Sequence, residues 1–298
     1  MTGMSFNTVV FDIGGSHASA SLVRDEKLEL HGVSTCPLKA DARKEELLDS
    51  LEQLARKVLG DNKVEGHELS GIGFAFPGPF DYERGVSHAE HKHPSLYNVS
   101  VRLEMAARFA IDPAQIVFIN DAAGYLLGEI FGGAAREGHR VIGMTLGTGV
   151  GSAFAVDGKI VTTGVGVPPG GEIWNVPWKG GIFEDAISTR AIQGIYKSLT
   201  GQAAEVKEIA ARTGSDPNAA ETFRRFGRDY GEVLKNLCEG FHPDLVVIGG
   251  AIARSACLFL PHANETLGDI KVKIVISQLF DQAALVGAGA KWLQTVRA

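Results

Sequence analysis

Met144-Thr145-Leu146-Gly147-Thr148-Gly149-Val150-Gly151 lies at the middle of the chain, and a stretch of the same build, Val9-Val10-Phe11-Asp12-Ile13-Gly14-Gly15-Ser16-His17, lies near its start. In both, β-prone apolar residues lead into the glycines, and alternating small and apolar residues follow, Ala18 to Val23 and Ser152 to Val156. Each therefore reads as a β-hairpin. A tip bare of side chains exposes backbone N–H groups, which bind phosphate oxygens well. A P-loop needs GxxxxGK[ST] between a strand and a helix, and neither turn holds that lysine. A dinucleotide fold needs GxGxxG opening a helix, whereas these turns lead back into strand. One such turn alone is an ordinary hairpin; two of them, each with a hydroxyl beside the glycines (Ser16 and Thr148), point to a two-sided phosphate clamp.

Working outward, the 298 residues suit two compact domains, each able to bury its own core. A hydrophobic content of 45% with 21% charged residues is ordinary for a globular protein and favours neither a disordered nor a membrane class. No apolar run approaches the roughly 20 residues of a membrane helix. The start, Met1-Thr2-Gly3-Met4-Ser5-Phe6, has no signal-peptide core, so the expected compartment is the cytoplasm. Cys36, Cys238 and Cys257 form no CxxC pair, which argues against a disulfide scaffold or a structural zinc site. A net charge of -6 offers no basic face for nucleic acid, and leaves a small molecule as the expected ligand.

The order of elements gives the organisation. Residues 6–34 read as hairpin strands, and Leu47, Leu48, Leu51, Leu54, Ala55, Val58 and Leu59 recur at helical spacing. A short strand, Gly71 to Phe76, stops at Pro77-Gly78-Pro79, and a loop runs on to about Tyr97. After a helix near Val101 to Phe109, Gln115 to Ile119 forms an apolar strand ending in Asn120-Asp121, before a helical stretch from Ala122 to Phe131. The second half begins again with strand, glycine turn, strand, then a strand at Lys159 to Thr162, helices and a last strand, Asp244 to Ile248. That strand runs into Gly249-Gly250-Ala251 and a helix at Ser255 to Phe259. The expected fold is α/β, with two lobes of related βββαβα plan facing a central cleft. The boundaries are 1–121 for the N-terminal lobe and 122–282 for the C-terminal lobe, with the final helix, 283–298, crossing back onto the first.

Among the residues able to do chemistry, Asp121 stands at the C-terminal end of a parallel-type strand, where α/β folds place ligands. Because a helix follows at once, Asp121 has two readings, a catalytic carboxylate or a plain N-cap. Asp12 also follows a buried strand, and reads either as a carboxylate near Mg²⁺ and phosphate or as a turn-forming Asx residue. Glu172 and Glu184 lie on glycine-rich loops; with Asn98 and Asn120 they form a set able to bond the hydroxyls of a polyol or sugar, the alternative being solvated loop charges. Trp174 and Trp178 read equally as sugar-stacking rings and as core. His88, His91 and His93 have a spacing near that of metal ligands but no further ligand group, so the segment reads as a solvated or substrate-facing loop.

Asp12-Ile13-Gly14-Gly15-Ser16, Pro77-Gly78-Pro79, Asn120-Asp121, Leu146 to Gly151, Gly171-Glu172 and Ile248-Gly249-Gly250 occur in the order found in ROK-family sugar kinases, and the chain resembles that family over nearly its whole length. The resemblance implies the two-lobed actin-like ATPase (ribonuclease H-like) fold and transfer of the ATP γ-phosphate to a hexose hydroxyl, glucose first. It implies Asp121 as the base. It implies Asn98, Asn120, Asp121, Glu172, Asn175 and Glu184 at the sugar, and Asp12, Gly14, Gly15, Ser16, Gly147, Thr148, Gly149, Gly249 and Gly250 at ATP and its Mg²⁺. A homodimer or homotetramer is implied as well. Where the family has GE-x-GH and then a cysteine-rich zinc loop, this chain has Gly171-Glu172-Ile173-Trp174-Asn175 and no cysteines, which argues against zinc and puts Asn175 where the family histidine touches the sugar. The rivals are another hexose or N-acylhexosamine as acceptor, polyphosphate as donor, and a non-catalytic sugar-binding regulator. A regulator of this kind carries a DNA-binding module ahead of the first hairpin, where about five residues stand without a basic helix-turn-helix.

Overall fold

The computed structural model describes residues 6–39, 41–90 and 92–297. It divides into two compact units, one from residues 1–136 with 281–298 and the other from 137–280. The division falls at Arg136 rather than after Asp121, so the helix that Asp121 opens belongs to the first unit, as does the C-terminal helix Ala283–Val296.

The first unit is built on a five-stranded sheet. Its strands are β1 (Thr8–Ile13), β2 (His17–Val23), β3 (His31–Pro37), β4 (Gly71–Phe76) and, after the two-residue hairpin of β5 (Phe80–Asp81) and β6 (Val86–Ser87), β7 (Ile116–Asn120). The order is β3-β2-β1-β4-β7, with antiparallel pairing at β3/β2 and β2/β1 and parallel pairing at β1/β4 and β4/β7. The two parallel strands β4 and β7 read as near-continuous apolar runs because both of their faces are covered. On one face the in-register residues Phe11, Phe74 and Phe118 stack across three strands, with ring centroids 4.6 and 5.0 Å apart. That face is closed by α1 (Lys44–Asp61), whose buried residues are the seven picked out by their spacing, and by α2 (Val101–Phe109), capped by Ser100 on the Leu103 N–H.

The opposite face is covered by α3 (Asp121–Phe131) and the C-terminal helix, which meet backbone to backbone. Glycine makes this approach possible: a Cβ at Gly287 would collide with the Gly124 carbonyl, and one at Gly128 with the Ala283 carbonyl. Gly73 of β4 lies under the Ala288 carbonyl, where a Cβ would also collide.

The second unit repeats the sheet. Its strands are β8 (Arg140–Leu146), β9 (Val150–Val156), β10 (Lys159–Val161), β13 (Leu245–Gly249) and β14 (Lys273–Ile276), in the order β10-β9-β8-β13-β14 and with the same sequence of antiparallel and parallel pairings. Between β10 and β13 come the short hairpin of β11 (Pro177–Trp178) and β12 (Gly181–Ile182), then α4 (Phe183–Ile187), α5 (Thr189–Thr200), α6 (Val206–Arg212) and the 25-residue α7 (Pro217–Phe241). α8 (Gly250–Ala253) and α9 (Ala256–Leu267) follow β13. Phe226, Tyr230 and Phe259 lock α7 to α9 edge to face.

Two sequence expectations are corrected here. The last strand is β14, not the strand ending at Ile248; a four-residue edge strand, partly exposed along its length, carries too little apolar signal to stand out. The helix read as Ser255 to Phe259 starts at Ala256 and runs on through Pro261 to Leu267, held by its packing on α7. Among the described residues no helix is long and apolar enough to cross a membrane.

Gly287→Ala is expected to destabilise the first unit by about 3 kcal/mol, because neither colliding partner is a side chain that can move aside. Thermal unfolding followed by circular dichroism measures this, and an unchanged midpoint would remove the close contact as a source of stability.

Candidate active site

In the first unit three carboxylates belong to the end of β1 and the start of two helices. Asp12 is the penultimate residue of β1, Asp121 is the first residue of α3, and Asp281 stands just ahead of the C-terminal helix. Asp12 pairs in register with Ala75, whose side chain faces Gly124 of α3, so Asp12 lies on the helix-covered face of the sheet. Burial, then the charges of Asp121 and Asp281, push Asp12 up to about 7. Asp121 is also lifted above the usual carboxylate range by burial, against the opposing pull of the Ala122 N–H, the Lys92 ammonium and the Asn120 amide.

The N-cap of α3 is Asn120. Its Oδ1 accepts from the N–H groups of Ala122 and Ala123 at 3.0 and 3.2 Å. Its Nδ2 donates to the Tyr82 hydroxyl at 3.2 Å and to Asp121 Oδ1 at 3.0 Å. All four hydrogen-bonding capacities of the carboxamide are engaged, so Asn120 can meet a ligand only by giving up one of these bonds. Asp121 shares only the Ala122 N–H with this cap, at 2.9 Å. The bonds it accepts from Ala122 and Asn120 both fall on Oδ1, and Oδ2 carries neither. Tyr82, which donates to the Phe76 carbonyl at 3.1 Å, braces this arrangement and went unnoticed in the sequence.

The first glycine turn closes with Gly14 N–H on the His17 carbonyl at 2.9 Å. Gly15 and Ser16 are exposed, and among the described residues their N–H groups meet no protein acceptor. The loop read from its histidines returns to this turn: His93 is buried, with Nε2 2.9 Å from the Gly14 carbonyl oxygen. His91 lies outside the described residues. Farther along the loop Asn98, at φ 58°, sets its carboxamide oxygen 3.2 Å from Nδ1 of His88, and both side chains are exposed.

The second unit organises its own turn. Gly147 N–H bonds the Gly149 carbonyl at 3.0 Å, and the N–H groups of Thr148 and Gly149 meet no protein acceptor among the described residues. The Gly147 carbonyl accepts the Thr189 N–H at 2.8 Å, which ties the turn to the first residue of α5. Glu184, read from the sequence as a sugar carboxylate, has one oxygen 3.0 Å from the Val150 N–H and the other 2.9 Å from Arg190, so it braces the turn. Gly250, at φ 78°, presses on the backbone of Leu146, where a Cβ would collide. Its glycine is required by packing at this point.

Glu172 is exposed and accepts from Trp174 Nε1 at 3.0 Å, while the Trp174 carbonyl takes the Glu184 N–H at 3.1 Å. Ser152 of β9 holds the start of this segment, donating to the Gly171 carbonyl at 2.7 Å and accepting from the Ile173 N–H at 3.0 Å. Trp174 is exposed, whereas Trp178 packs on the core and carries Lys179 above its ring at 4.3 Å. Asn175 is exposed beside Trp174. Along α5, Arg190, Gln193 and Lys197 face Glu205 and Glu208 across a cavity of about 510 Å³.

The model of the ROK family matches residues 8–295. The glucokinase of Thermotoga maritima is 27% identical, over 94% of this chain and 95% of that protein. The N-acetyl-D-glucosamine kinase of Mannheimia succiniciproducens is 25% identical, over 95% of this chain and 98% of that one. The crystal structure of a ROK family glucokinase from Streptomyces griseus in complex with glucose and AMPPNP superposes with a TM-score of 0.74 at 22% identity, covering 97% of this chain and 99% of that one. The likeness gives the fold its class, the two-lobed actin-like ATPase plan.

The raised Asp12 carboxyl has a consequence for stability. It is near 7 in the folded chain against 3.8 for the free group, so folding takes up a proton between those values. Its contribution is fully present below about pH 4 and is lost as pH rises through about 7. Asp12→Asn, which never ionises, is expected to be more stable than the wild type by on the order of 4 kcal/mol at about pH 8, with the gap closing towards about pH 4. Calorimetric unfolding across that range, without nucleotide or Mg²⁺, measures it; a gap that widens towards acid would contradict the burial of this charge.

Proposed function

Because the chain belongs to the ROK family, we propose that it is an ATP-dependent hexokinase-type phosphotransferase, carrying the γ-phosphate of ATP to a hexose hydroxyl and converting glucose to glucose 6-phosphate. The observation that carries this reading is the division of labour at the head of α3, where Asn120 is the N-cap and Asp121 keeps Oδ2 out of the cap on a half-buried carboxyl with a lifted proton affinity. Phosphoryl transfer asks little covalent chemistry of a protein, so positioning and charge stabilisation dominate. In this reading Asp121 accepts the proton of the attacking sugar hydroxyl, and a raised carboxyl does this better near neutrality than an ordinary one.

Phosphate oxygens suit the free N–H pairs of both turns, Gly15 with Ser16 and Thr148 with Gly149. Asn98 and His88 in the first unit, and Glu172, Trp174 and Asn175 in the second, offer the exposed hydrogen-bonding groups and the ring face that a sugar needs. The cavity beside α5 runs along the helix whose first residue is bonded to Gly147. Its two glutamates can accept from the adenine amino group and the ribose hydroxyls, which favours ATP as donor.

Among the described residues no three ligating side chains are grouped to hold a metal ion by themselves, so a divalent cation fits here as part of the nucleotide's phosphate complex, with the Asp12 carboxyl as its protein contact. Mg²⁺ brought with ATP would be held by Asp12 directly or through its water shell, and would neutralise phosphate charge.

Asp121→Asn is expected to lower kcat by about 10² to 10⁴ while leaving hexose affinity within a few fold. In the wild type kcat/KM should fall on the acid side with an apparent pKa above the usual carboxylate range, and that limb should be absent from the residual activity of Asp121→Asn. A coupled assay over a hexose panel, with ATP and polyphosphate as alternative donors, makes both measurements. Normal turnover by Asp121→Asn would sink the assignment of the base, and no phosphorylation of any hexose would sink the kinase reading.

A further inference from the structure

His93 is held at a cost that its own loop does not explain. It is 2% exposed, lies in the left-handed region at φ 52° and precedes Pro94, two restrictions that an ordinary loop residue avoids. Its Nδ1 is buried without a hydrogen-bond partner. A carbonyl oxygen only accepts, so the 2.9 Å contact with Gly14 puts a ring proton on Nε2, while Nδ1 is left without a partner. One hydrogen bond to the first glycine turn is what the burial of this ring achieves.

The Gly14 carbonyl and the Gly15 N–H belong to one planar trans peptide and point in opposite directions. With glycine on both sides, no side chain resists the turning over of this unit. Turned over, it would present an oxygen where an anion is to be bound. The bond from His93 holds the Gly14 oxygen back and so directs the Gly15 N–H outward. The second turn reaches the same end by other means: the Thr189 N–H holds the Gly147 carbonyl at 2.8 Å and so directs the N–H of Thr148.

We propose that His93 is the positioning residue for the phosphates at the first turn, acting through the Gly14–Gly15 peptide as the Thr189 backbone acts through the Gly147–Thr148 peptide. The inference rests on the kinase reading above and adds to it a residue outside the glycine turn itself. It concerns the phosphate end of the donor alone, which separates it from a general structural role.

The test is calorimetric titration of the wild type, His93→Met and His93→Gln with ATP and with adenosine. Methionine fills the space without a donor, whereas the glutamine amide keeps an N–H able to reach the carbonyl. His93→Met should bind ATP about tenfold more weakly, the loss of one hydrogen bond to a charged ligand, and adenosine as before; His93→Gln should regain most of the difference. ATP affinity unchanged in His93→Met, equal losses for ATP and adenosine, or no recovery in His93→Gln would each overturn the role of His93. Failure of the wild type to bind ATP would overturn the kinase reading and this inference with it.

Discussion

The bond from Asn120 Oδ1 to the first N–H groups of α3 decides what the rest of the first unit can do. A helix start leaves four N–H groups unpaired, and the nearest carboxylate is drawn to them. Had Asp121 taken the Ala123 N–H as well as that of Ala122, its proton affinity would have been driven further down. With Asn120 in that place and Tyr82 behind it, Asp121 stays half-buried, close to Asp12, and ready to gain a proton. The energetic burden of grouped carboxylates at this point is the kind of local compromise that a fold tolerates where chemistry is done.

The two units share a sheet order and a glycine turn after the first strand of each sheet, yet they brace that turn with different materials. In the second unit the braces are local in the fold: the head of α5 takes the Gly147 carbonyl and Glu184 takes the Val150 N–H. In the first unit, among the described residues, no backbone N–H at a helix head bonds the Gly14 carbonyl, and a ring from the loop that also bears Asn98 fills the need. A repeated backbone plan thus fixes where a turn lies without fixing which residues make it rigid.

Much of this was legible in the sequence, because periodicity and turn chemistry are local. The seven apolar positions of α1, both hairpins, the strand ending at Asn120 and the family resemblance all come from neighbouring residues or from motif order. The braces were not legible, because their partners are distant: His93 and Gly14 are 79 positions apart, and Glu184 and Val150 are 34 apart. Glu184 reads as a sugar ligand on its loop and as a brace only when β9 is set beside it. Gly250 has a packing reason that the motif alone conceals, and β14 lacks the apolar alternation by which a more buried strand announces itself.

The close contact of α3 with the C-terminal helix bears on how the protein is made. Residues 121–131 are synthesised long before residues 283–296, and all of the second unit emerges between them. Until residues 283–296 leave the ribosome, the glycine face of α3 and the covered side of the first sheet stand open to water and to chaperones. The second unit is complete in sequence first, and the carboxylate at the head of α3 is set in its final surroundings only by the last helix to appear.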